Sequence, residues 1–325
     1  MSGLRRPAEW EPHRAVWTAW PDHPDWGPDL EAARSELVGF CEAIAGSAGA
    51  EEVKVLVQSE ASRVDAERAL GTAATVVEAK YGDIWLRDTG PLFVHADDEL
   101  RGRCFAWNGW GEKYRYAHDD EVGAAICALA DVPADRRGWV LEGGAIESDG
   151  RGTCLTTRQC LLNPNRNPSL SQAEVEAKLR ADLGFERVVW LDRGLLNDHT
   201  DGHIDTLARF VAPGRVVCMR PVPNDPNEAS LNAIIEALRF EGFEVHTVPS
   251  PGAVRDRDGA LMPASYANFY IGNETVVVPT YGSPHDAEAV EALAALFEDR
   301  AVVGRSARAI LAGGGAFHCM TQEQP

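Results

Sequence analysis

Helical patterns recur along this chain at a nearly constant interval. Six segments have this character: residues 29–46, 59–70, 119–131, 171–183, 227–241 and 285–299. The last five begin about 50 to 60 residues apart, and such a quasi-period indicates repeated structural units. Short strand-like runs lie between the helices, for example residues 53–57, 153–157, 216–219 and 275–278. This alternation predicts an α/β fold, although the interval alone does not say how the units are arranged.

Composition excludes several classes of protein. The formal charge is −19 and no basic stripe offsets it, which argues against a nucleic-acid binder. No run approaches the roughly 18 apolar residues of a membrane span. The seven cysteines have neither the spacing of a zinc site nor that of a disulfide framework, so a reducing compartment and a cytoplasmic location are expected.

A cysteine near the end of the sequence follows a glycine-rich run. Three glycines at 313–315 precede Cys319, and glycine lets a backbone approach a substrate closely. A thiol in this setting, with few residues after it, is a candidate nucleophile. A buried cysteine in a C-terminal strand is the alternative interpretation.

A second segment places imidazole and carboxyl groups at alternating positions. His203 and Asp205 are predicted to face the same side of an extended strand, roughly 6 to 7 Å apart. That spacing suits a histidine acting as general acid and base beside a carboxylate that binds a cation. A solvated strand edge is one alternative. Another is a metal-dependent hydrolase with a ligand row formed by His199, Asp201, His203 and Asp205, which leaves Cys319 without a role.

Two turns carry further acids. Asp88 lies in a cluster of Trp, Arg and Asp that ends in a Gly-Pro turn, and such a turn could aim its carboxylate into a cleft. Glu142 follows an apolar strand-like run and precedes two glycines, which leave its surroundings without steric cover. Ordinary turn chemistry is the alternative for both, since Asp and Gly are common in turns.

Longer motifs, in order along the chain, carry a family resemblance. Examples are IWLRDTGP at 84–91 and TDGHID at 200–205; others lie at residues 7–17, 107–114, 142–144, 162–168, 266–270 and 318–319. The chain resembles the agmatine deiminase family, within the guanidine-modifying enzymes that include bacterial peptidylarginine deiminases. The resemblance implies a five-bladed α/β propeller of pentein type, with pseudo-fivefold repeats around a central active-site channel. It covers essentially the whole chain, so residues 1–325 are expected to form a single catalytic domain.

The resemblance also implies catalytic roles. Cys319 corresponds to the nucleophile, His203 to the general acid and base, and Glu142 to the acid that orients the histidine. The thiolate attacks the guanidinium carbon, His203 protonates the departing nitrogen, and ammonia leaves an amidino thioether that water hydrolyses. This chemistry needs no metal and no organic cofactor.

Substrate binding is implied for two carboxylates. Asp88 and Asp205 correspond to the groups that hold the planar guanidinium, whose N–H donors match carboxylates. Trp85, beside Asp88, is a candidate for contact with the substrate's alkyl chain. The expected partner is thus a small cationic guanidino compound, with no nucleic acid or membrane and with a homo-oligomer left open.

The chain departs from the usual family pattern at two places. Family members more often have Asn-Ile where this chain has Ala316-Phe317, and an acid where it has His199. Both departures are expected to line the part of the site that reads the far end of the substrate. Agmatine is the first choice, with free arginine and peptidyl-arginine as alternatives. A sensor that binds a guanidino compound without turnover has no supporting feature.

Overall fold

A computed structural model describes residues 3–97 and 99–325. Its strands are β1 (Leu4–Arg5), β2 (Ala15–Ala19), β3 (Glu52–Val57), β4 (Thr75–Glu78), β5 (Leu92–Ala96), β6 (Glu99–Ala106), β7 (Ala134–Val140), β8 (Ile146–Ser148), β9 (Thr153–Thr157), β10 (Arg187–Leu191), β11 (Ala208–Ala212), β12 (Arg215–Arg220), β13 (Glu244–Pro249), β14 (Tyr270–Ile271), β15 (Thr275–Thr280), β16 (Ala301–Ser306) and β17 (Gln322–Gln324). The α-helices are α1 (Leu30–Ala45), α2 (Glu60–Leu70), α3 (Leu86–Thr89), α4 (Gly109–Glu112), α5 (Val122–Leu129), α6 (Arg158–Leu161), α7 (Gln172–Leu183), α8 (Glu228–Phe240), α9 (Asp286–Ala294) and α10 (Arg308–Ala312). Short 3-10 helices span Pro24–Asp29, Gly143–Ala145 and Ile204–Thr206.

The strands of the described residues form five small sheets built on one plan. The sheet orders are β17-β2-β3-β4, β1-β5-β6-β7, β8-β9-β10, β11-β12-β13 and β14-β15-β16. In each unit a first strand (β17, β5, β8, β11 or β14) runs antiparallel to the next strand, which pairs in parallel with a third. A parallel pair needs a crossover connection, and α1, α5, α7, α8 and α9 provide it in the five units. The predicted five-bladed α/β propeller is confirmed.

The predicted helices are present, and local sequence explains where they start. Ser59 caps α2 and Ser171 caps α7, each through a capping box with the residue three positions on. Gly184 ends α7 in the left-handed conformation, at a φ of 78°. Helix α9 is shorter than the predicted 285–299, because the chain leaves the helix after Ala294 for turns. None of the helices among the described residues is long and apolar enough to cross a membrane.

The two ends of the chain share one sheet. Strand β17 pairs with β2, so that Gln322 lies opposite Trp17 and Glu323 opposite Val16. The side chains of Trp17, Val16 and Phe317 are fully buried in the core beneath this sheet. This pairing brings the segment around Cys319 next to the N-terminal residues.

The prediction that His203 and Asp205 lie on an extended strand is wrong. Residues 204–206 form a 3-10 helix, and strand β11 begins only at Ala208. Asp201 and Gly202 have positive φ angles of 66° and 87°, so the chain turns where a strand was expected. His199, Asp201, His203 and Asp205 therefore do not form a row on one strand face, and the geometry gives no basis for the metal-binding alternative.

Candidate active site

The candidate site is assembled from equivalent positions of the five units. Each unit places one or two polar residues in the segment that leads into its first strand, two to five residues before that strand begins. These residues are Asp88 before β5, Glu142 before β8, His203 and Asp205 before β11, Asn268 before β14 and Cys319 before β17. All six side chains are buried. The pseudo-fivefold repeat thus explains how residues far apart in sequence meet.

The thiol of Cys319 is held by two polar neighbours. Nδ2 of Asn268 donates to Sγ at 3.1 Å, and the thiol donates to Oδ2 of Asp205 at 3.5 Å. The backbone N–H of Cys319 in turn donates to Oδ1 of Asn268 at 3.2 Å. Burial, together with the carboxylates of Asp205 and Asp88, raises the pKa of Cys319 well above its ordinary value. The thiol is therefore protonated at neutral pH in this structure.

Asp88 is held in place by two N–H donors. Oδ2 accepts from Nε1 of Trp110 at 2.8 Å, and Oδ1 accepts from the backbone N–H of Gly144 at 2.9 Å. Burial raises the pKa of Asp88 despite the nearby imidazole of His203. A bound guanidinium would reverse this effect, because a cation at hydrogen-bond distance stabilises the carboxylate.

His203 lies between the acids of the site. Nδ1 is 3.7 Å from Oδ1 of Asp88, and neither ring nitrogen has a hydrogen-bond partner within residues 3–97 and 99–325. Burial would lower the pKa of His203, but the carboxylate of Asp88, the neighbouring Cys160 and the carboxylate of Glu142 together outweigh it and raise that pKa well above its ordinary value. An imidazolium with unoccupied N–H groups is suited to protonate a leaving nitrogen.

Glu142 is close to His203 but does not hydrogen-bond to it. One carboxylate oxygen lies within 4.8 Å of a ring nitrogen, and Oε1 accepts from Nε of Arg166 at 2.5 Å. The same guanidinium binds Oδ2 of Asp201 at 2.7 Å and the carbonyl oxygen of Thr200 at 2.9 Å. Arg166 therefore ties Glu142 to the loop that carries His203. The motif at 162–168 supplies this buried cation.

Gly144 leaves the space in which these side chains meet. A β-carbon on this residue would lie 2.6 Å from Nδ1 of His203, 2.9 Å from Oδ1 of Asp88 and 3.0 Å from Oδ2 of Asp205. Real β-carbons do not approach other atoms so closely. The second glycine of the Glu-Gly-Gly motif is thus required by the packing of the site, a function that the turn interpretation did not predict.

A cavity of about 220 Å³ leads from Cys319 to the surface. Trp85 and Trp26 form one wall, because the buried carboxylate of Asp83 accepts from both indole N–H groups, at 3.0 and 2.9 Å. The outer part is lined by aromatic side chains and acids, among them Tyr114, Tyr116, His199, Asp25 and Asp29. His199 therefore lies at the outer end, as expected from the sequence.

The departure from the family pattern at Ala316-Phe317 lies away from the cavity. Ala316 and Phe317 are buried and do not line the cavity, and the ring of Phe317 packs 5.1 Å from that of Phe40. The expectation that both departures read the far end of the substrate is wrong for this pair. Both residues lie in the core.

One group of buried side chains has the composition of a metal site. Glu142, Cys160 and His203 each place a potential ligand atom within 4.8 Å of the others. The guanidinium of Arg166 already lies against Glu142, so a second cation would be repelled there. The group is better explained as the acid-base part of the site with a buried thiol beside it.

Sequence reasoning named Cys319, His203, Glu142, Asp88, Asp205 and Trp85, and the structure places all six at this site. It missed Asn268, Trp110 and Arg166, although all three lie in the motifs at 107–114, 162–168 and 266–270. The signal for Asn268 is positional, since it precedes the first strand of the one unit that had no predicted site residue.

Known proteins resemble the chain over its full length. Residues 5–325 match the model of the Porphyromonas-type peptidyl-arginine deiminase family. An agmatine deiminase of Stutzerimonas stutzeri is 38% identical, in an alignment covering 100% of this chain and 96% of that protein. The structure of an agmatine deiminase of Enterococcus faecalis is 33% identical, with a TM-score of 0.92 and coverage of 99% and 96%. That of a C. jejuni agmatine deiminase with substrate bound is 26% identical, with a TM-score of 0.90 and the same coverage. The chain therefore belongs to the Porphyromonas-type peptidyl-arginine deiminase family, in which agmatine deiminases are its relatives.

Proposed function

We propose that this protein hydrolyses the guanidinium group of agmatine to N-carbamoylputrescine and ammonia, with Cys319 as the nucleophile. One observation carries the proposal: a buried thiol lies beside two carboxylates, Asp205 and Asp88, at the closed end of a cavity. A planar cation that binds both acids places its central carbon next to the sulfur. The two acids attract a cation more strongly than a neutral substrate.

The reaction proceeds in two halves. The cation bound between Asp88 and Asp205 lowers the pKa of Cys319, whose thiol proton is released to solvent, and the thiolate then attacks the guanidinium carbon and forms a carbon–sulfur bond. His203 gives its proton to the departing nitrogen, the carbon–nitrogen bond breaks, and ammonia leaves an amidino thioether. Water then adds to that carbon and gives a proton to neutral His203. Collapse breaks the carbon–sulfur bond and releases the ureido product. No metal or organic cofactor takes part.

The outer part of the cavity favours an amine at the far end of the substrate. Asp25 and Asp29 lie there, and Asp29 is paired with Arg257, whereas Asp25 accepts from the hydroxyl of Tyr116 at 3.0 Å. The α-carboxylate of free arginine would be repelled by these acids, whereas the ammonium of agmatine would be attracted. Peptidyl-arginine would bring a neutral backbone to the same place. Agmatine is therefore preferred over both alternatives.

The cysteines and the five units bear on the cellular location and the domain organisation. We place the protein in the cytoplasm, because all seven cysteines are free. Residues 1–325 act as one catalytic domain in this proposal, since every one of the five units contributes a residue to the site.

The test is ammonia release from agmatine by purified protein. Cys319→Ala should abolish release, whereas Cys218→Ala, which removes a buried thiol from strand β12, should retain it. We expect kcat/KM for agmatine to exceed that for arginine by at least about tenfold, equivalent to about 1.4 kcal/mol. Activity should survive a chelator. No release by folded wild-type protein, or activity retained in Cys319→Ala, would refute the proposal.

A further inference from the structure

The imidazole of His318 lies between two carboxylates, directly next to the nucleophile in sequence. Nδ1 is 2.8 Å from Oδ2 of Asp205, and Nε2 is 2.7 Å from Oε2 of Glu9. His318 is only 2% exposed, so water cannot reorganise around the ring. A neutral imidazole donates through one nitrogen and accepts through the other, and a carboxylate only accepts. Two contacts of this length therefore require that both ring nitrogens carry a proton.

The surrounding charges agree with a cationic His318. Oε2 of Glu9 also binds Nη2 of Arg209 at 2.8 Å and Nη2 of Arg87 at 3.2 Å. Beyond them Arg209 binds Glu147, and both Arg87 and Arg6 bind Glu323. The cluster thus contains four carboxylates, Glu9, Glu147, Asp205 and Glu323, and four cations if His318 is one, with Arg6, Arg87 and Arg209. With a neutral ring the four carboxylates would face only the three arginines of the cluster, although His203 also places positive charge near Asp205. A buried carboxylate with incomplete compensation is costly.

Asp205 is the part of the cluster that reaches the active site. Its Oδ2 receives His318 and the thiol of Cys319, whereas Oδ1 is buried and has no partner within the described residues. Burial tends to raise the pKa of Asp205, but the hydrogen bond and charge of His318 outweigh it, so the pKa lies below its ordinary value. The carboxylate is thus ionised and oriented, with one oxygen left over.

We propose that His318 is a positioning residue, an imidazolium that anchors Asp205 to Glu9 and leaves Oδ1 of Asp205 for the substrate guanidinium. The role of Oδ1 rests on the proposed function, whereas the protonation of His318 does not. Glu9 in the N-terminal motif and His318 in the terminal motif thereby act together to orient Asp205. Because Glu9 is itself held by Arg87 and Arg209, the anchor is rigid.

The first test measures the protonation of the His318 ring directly in the wild-type protein without substrate. Histidines are labelled with 15N, and the signal of His318, one of nine histidines, is assigned by its loss in His318→Asn. We expect both ring nitrogens to show the shifts of protonated nitrogen at about pH 7.5, as the contacts with two carboxylates require. A neutral tautomer at about pH 7.5 would overturn the proposal whether or not the enzyme acts on agmatine. Conversely, inactive protein with a doubly protonated His318 would count against the proposed function alone.

The second test separates positioning from mere structure. In His318→Asn the side-chain amide can still donate to Asp205, but the charge and the contact with Glu9 are lost. We expect kcat/KM for agmatine to fall about 100-fold, the size of effect that a small misplacement of a binding group produces. The acid limb of the kcat/KM profile, set in the wild type by Asp88 with its raised pKa, should steepen and move to higher pH, because the pKa of Asp205 rises when its cation is removed and its protonation joins that of Asp88.

His246→Asn is the matched control, since His246 makes a similar contact to Glu244, at 2.9 Å, on the surface. It should leave both the rate and the profile unchanged. If His318→Asn lost the same fraction of activity at every pH, with the acid limb in place, a purely structural role would replace the proposal. If the variant did not fold, the wild-type signal of His318 would be assigned through its backbone by triple-resonance experiments, and the 15N measurement would still decide.

Discussion

The ionisation of Cys319 can be tested with a matched pair of alkylating agents. Burial and the carboxylates of Asp205 and Asp88 hold the pKa of this thiol well above its ordinary value. A cation bound between these acids, about 4 Å from the sulfur, contributes about 4 kcal/mol at an effective dielectric constant of 20. That free energy corresponds to about 3 pKa units, or a roughly 1000-fold larger fraction of thiolate. Substrate binding and nucleophile activation would then be one event.

The pair is 2-chloroacetamidine, which carries a cationic amidinium, and 2-chloroacetamide, which is neutral and of almost the same shape. The assay compares their maximal inactivation rates, so that affinity does not enter, after division by their rates with a free small thiolate. We expect the cationic reagent to react about 1000-fold faster near pH 7. The rate with the neutral reagent should rise about tenfold per pH unit across the neutral range, because the thiol is still protonated there.

Equal normalised rates would refute this reasoning, and so would a rate with 2-chloroacetamide that reaches its plateau below about pH 7.5. Asp88→Asn gives an independent check, because it should change the inactivation rates of the two reagents in opposite directions. It removes one of the two charges that keep the thiol protonated, so the neutral reagent should react faster. It also weakens binding of the amidinium, so the cationic reagent should react more slowly.

Three substitutions test other parts of the structure. Burial would raise the pKa of Glu323, but Arg87 and Arg6 outweigh it and lower that pKa to about 2. The ionised carboxylate therefore stabilises the folded protein by about 3 kcal/mol. This stabilisation is present above about pH 4.5 and is lost as the pH falls toward 2. Urea unfolding of Glu323→Gln should therefore show a deficit at pH 7 that shrinks in acid, whereas a constant deficit would contradict the assignment; exposed Glu236→Gln is the control. Gly144→Ala should lower kcat by at least about 100-fold. The control is Gly138→Ala, which should leave kcat unchanged because no atom would lie within 4 Å of the new β-carbon. A kcat of Gly144→Ala within tenfold of wild type would show that the site can relax around the new carbon. Arg166→Met should cost about 3 to 5 kcal/mol of folding free energy by leaving a buried carboxylate unpaired, and a thermal melt close to that of wild type would argue against that pairing.

Local sequence determined the elements of this fold and much of the site. The spacing of apolar residues predicted the five helices that cross between parallel strands, because a 3.6-residue period is a property of the chain itself. These helices are α1, α5, α7, α8 and α9. The motifs also identified Cys319, His203, Asp88 and Asp205 as chemically distinctive. These predictions needed only neighbours a few residues apart.

Tertiary structure decided the arrangement and the electrostatics. His203 and Asp205 lie in a turn and not on a strand, since burying both beside Asp88 and Cys319 requires positive φ angles at residues 201 and 202. The partner of His318 on one side is Glu9, 309 residues away, and the thiol of Cys319 gains its raised pKa only from burial and from carboxylates of other units. Contact, burial and compensation of charge depend on residues that are distant in sequence, and no local pattern encodes which of them will meet.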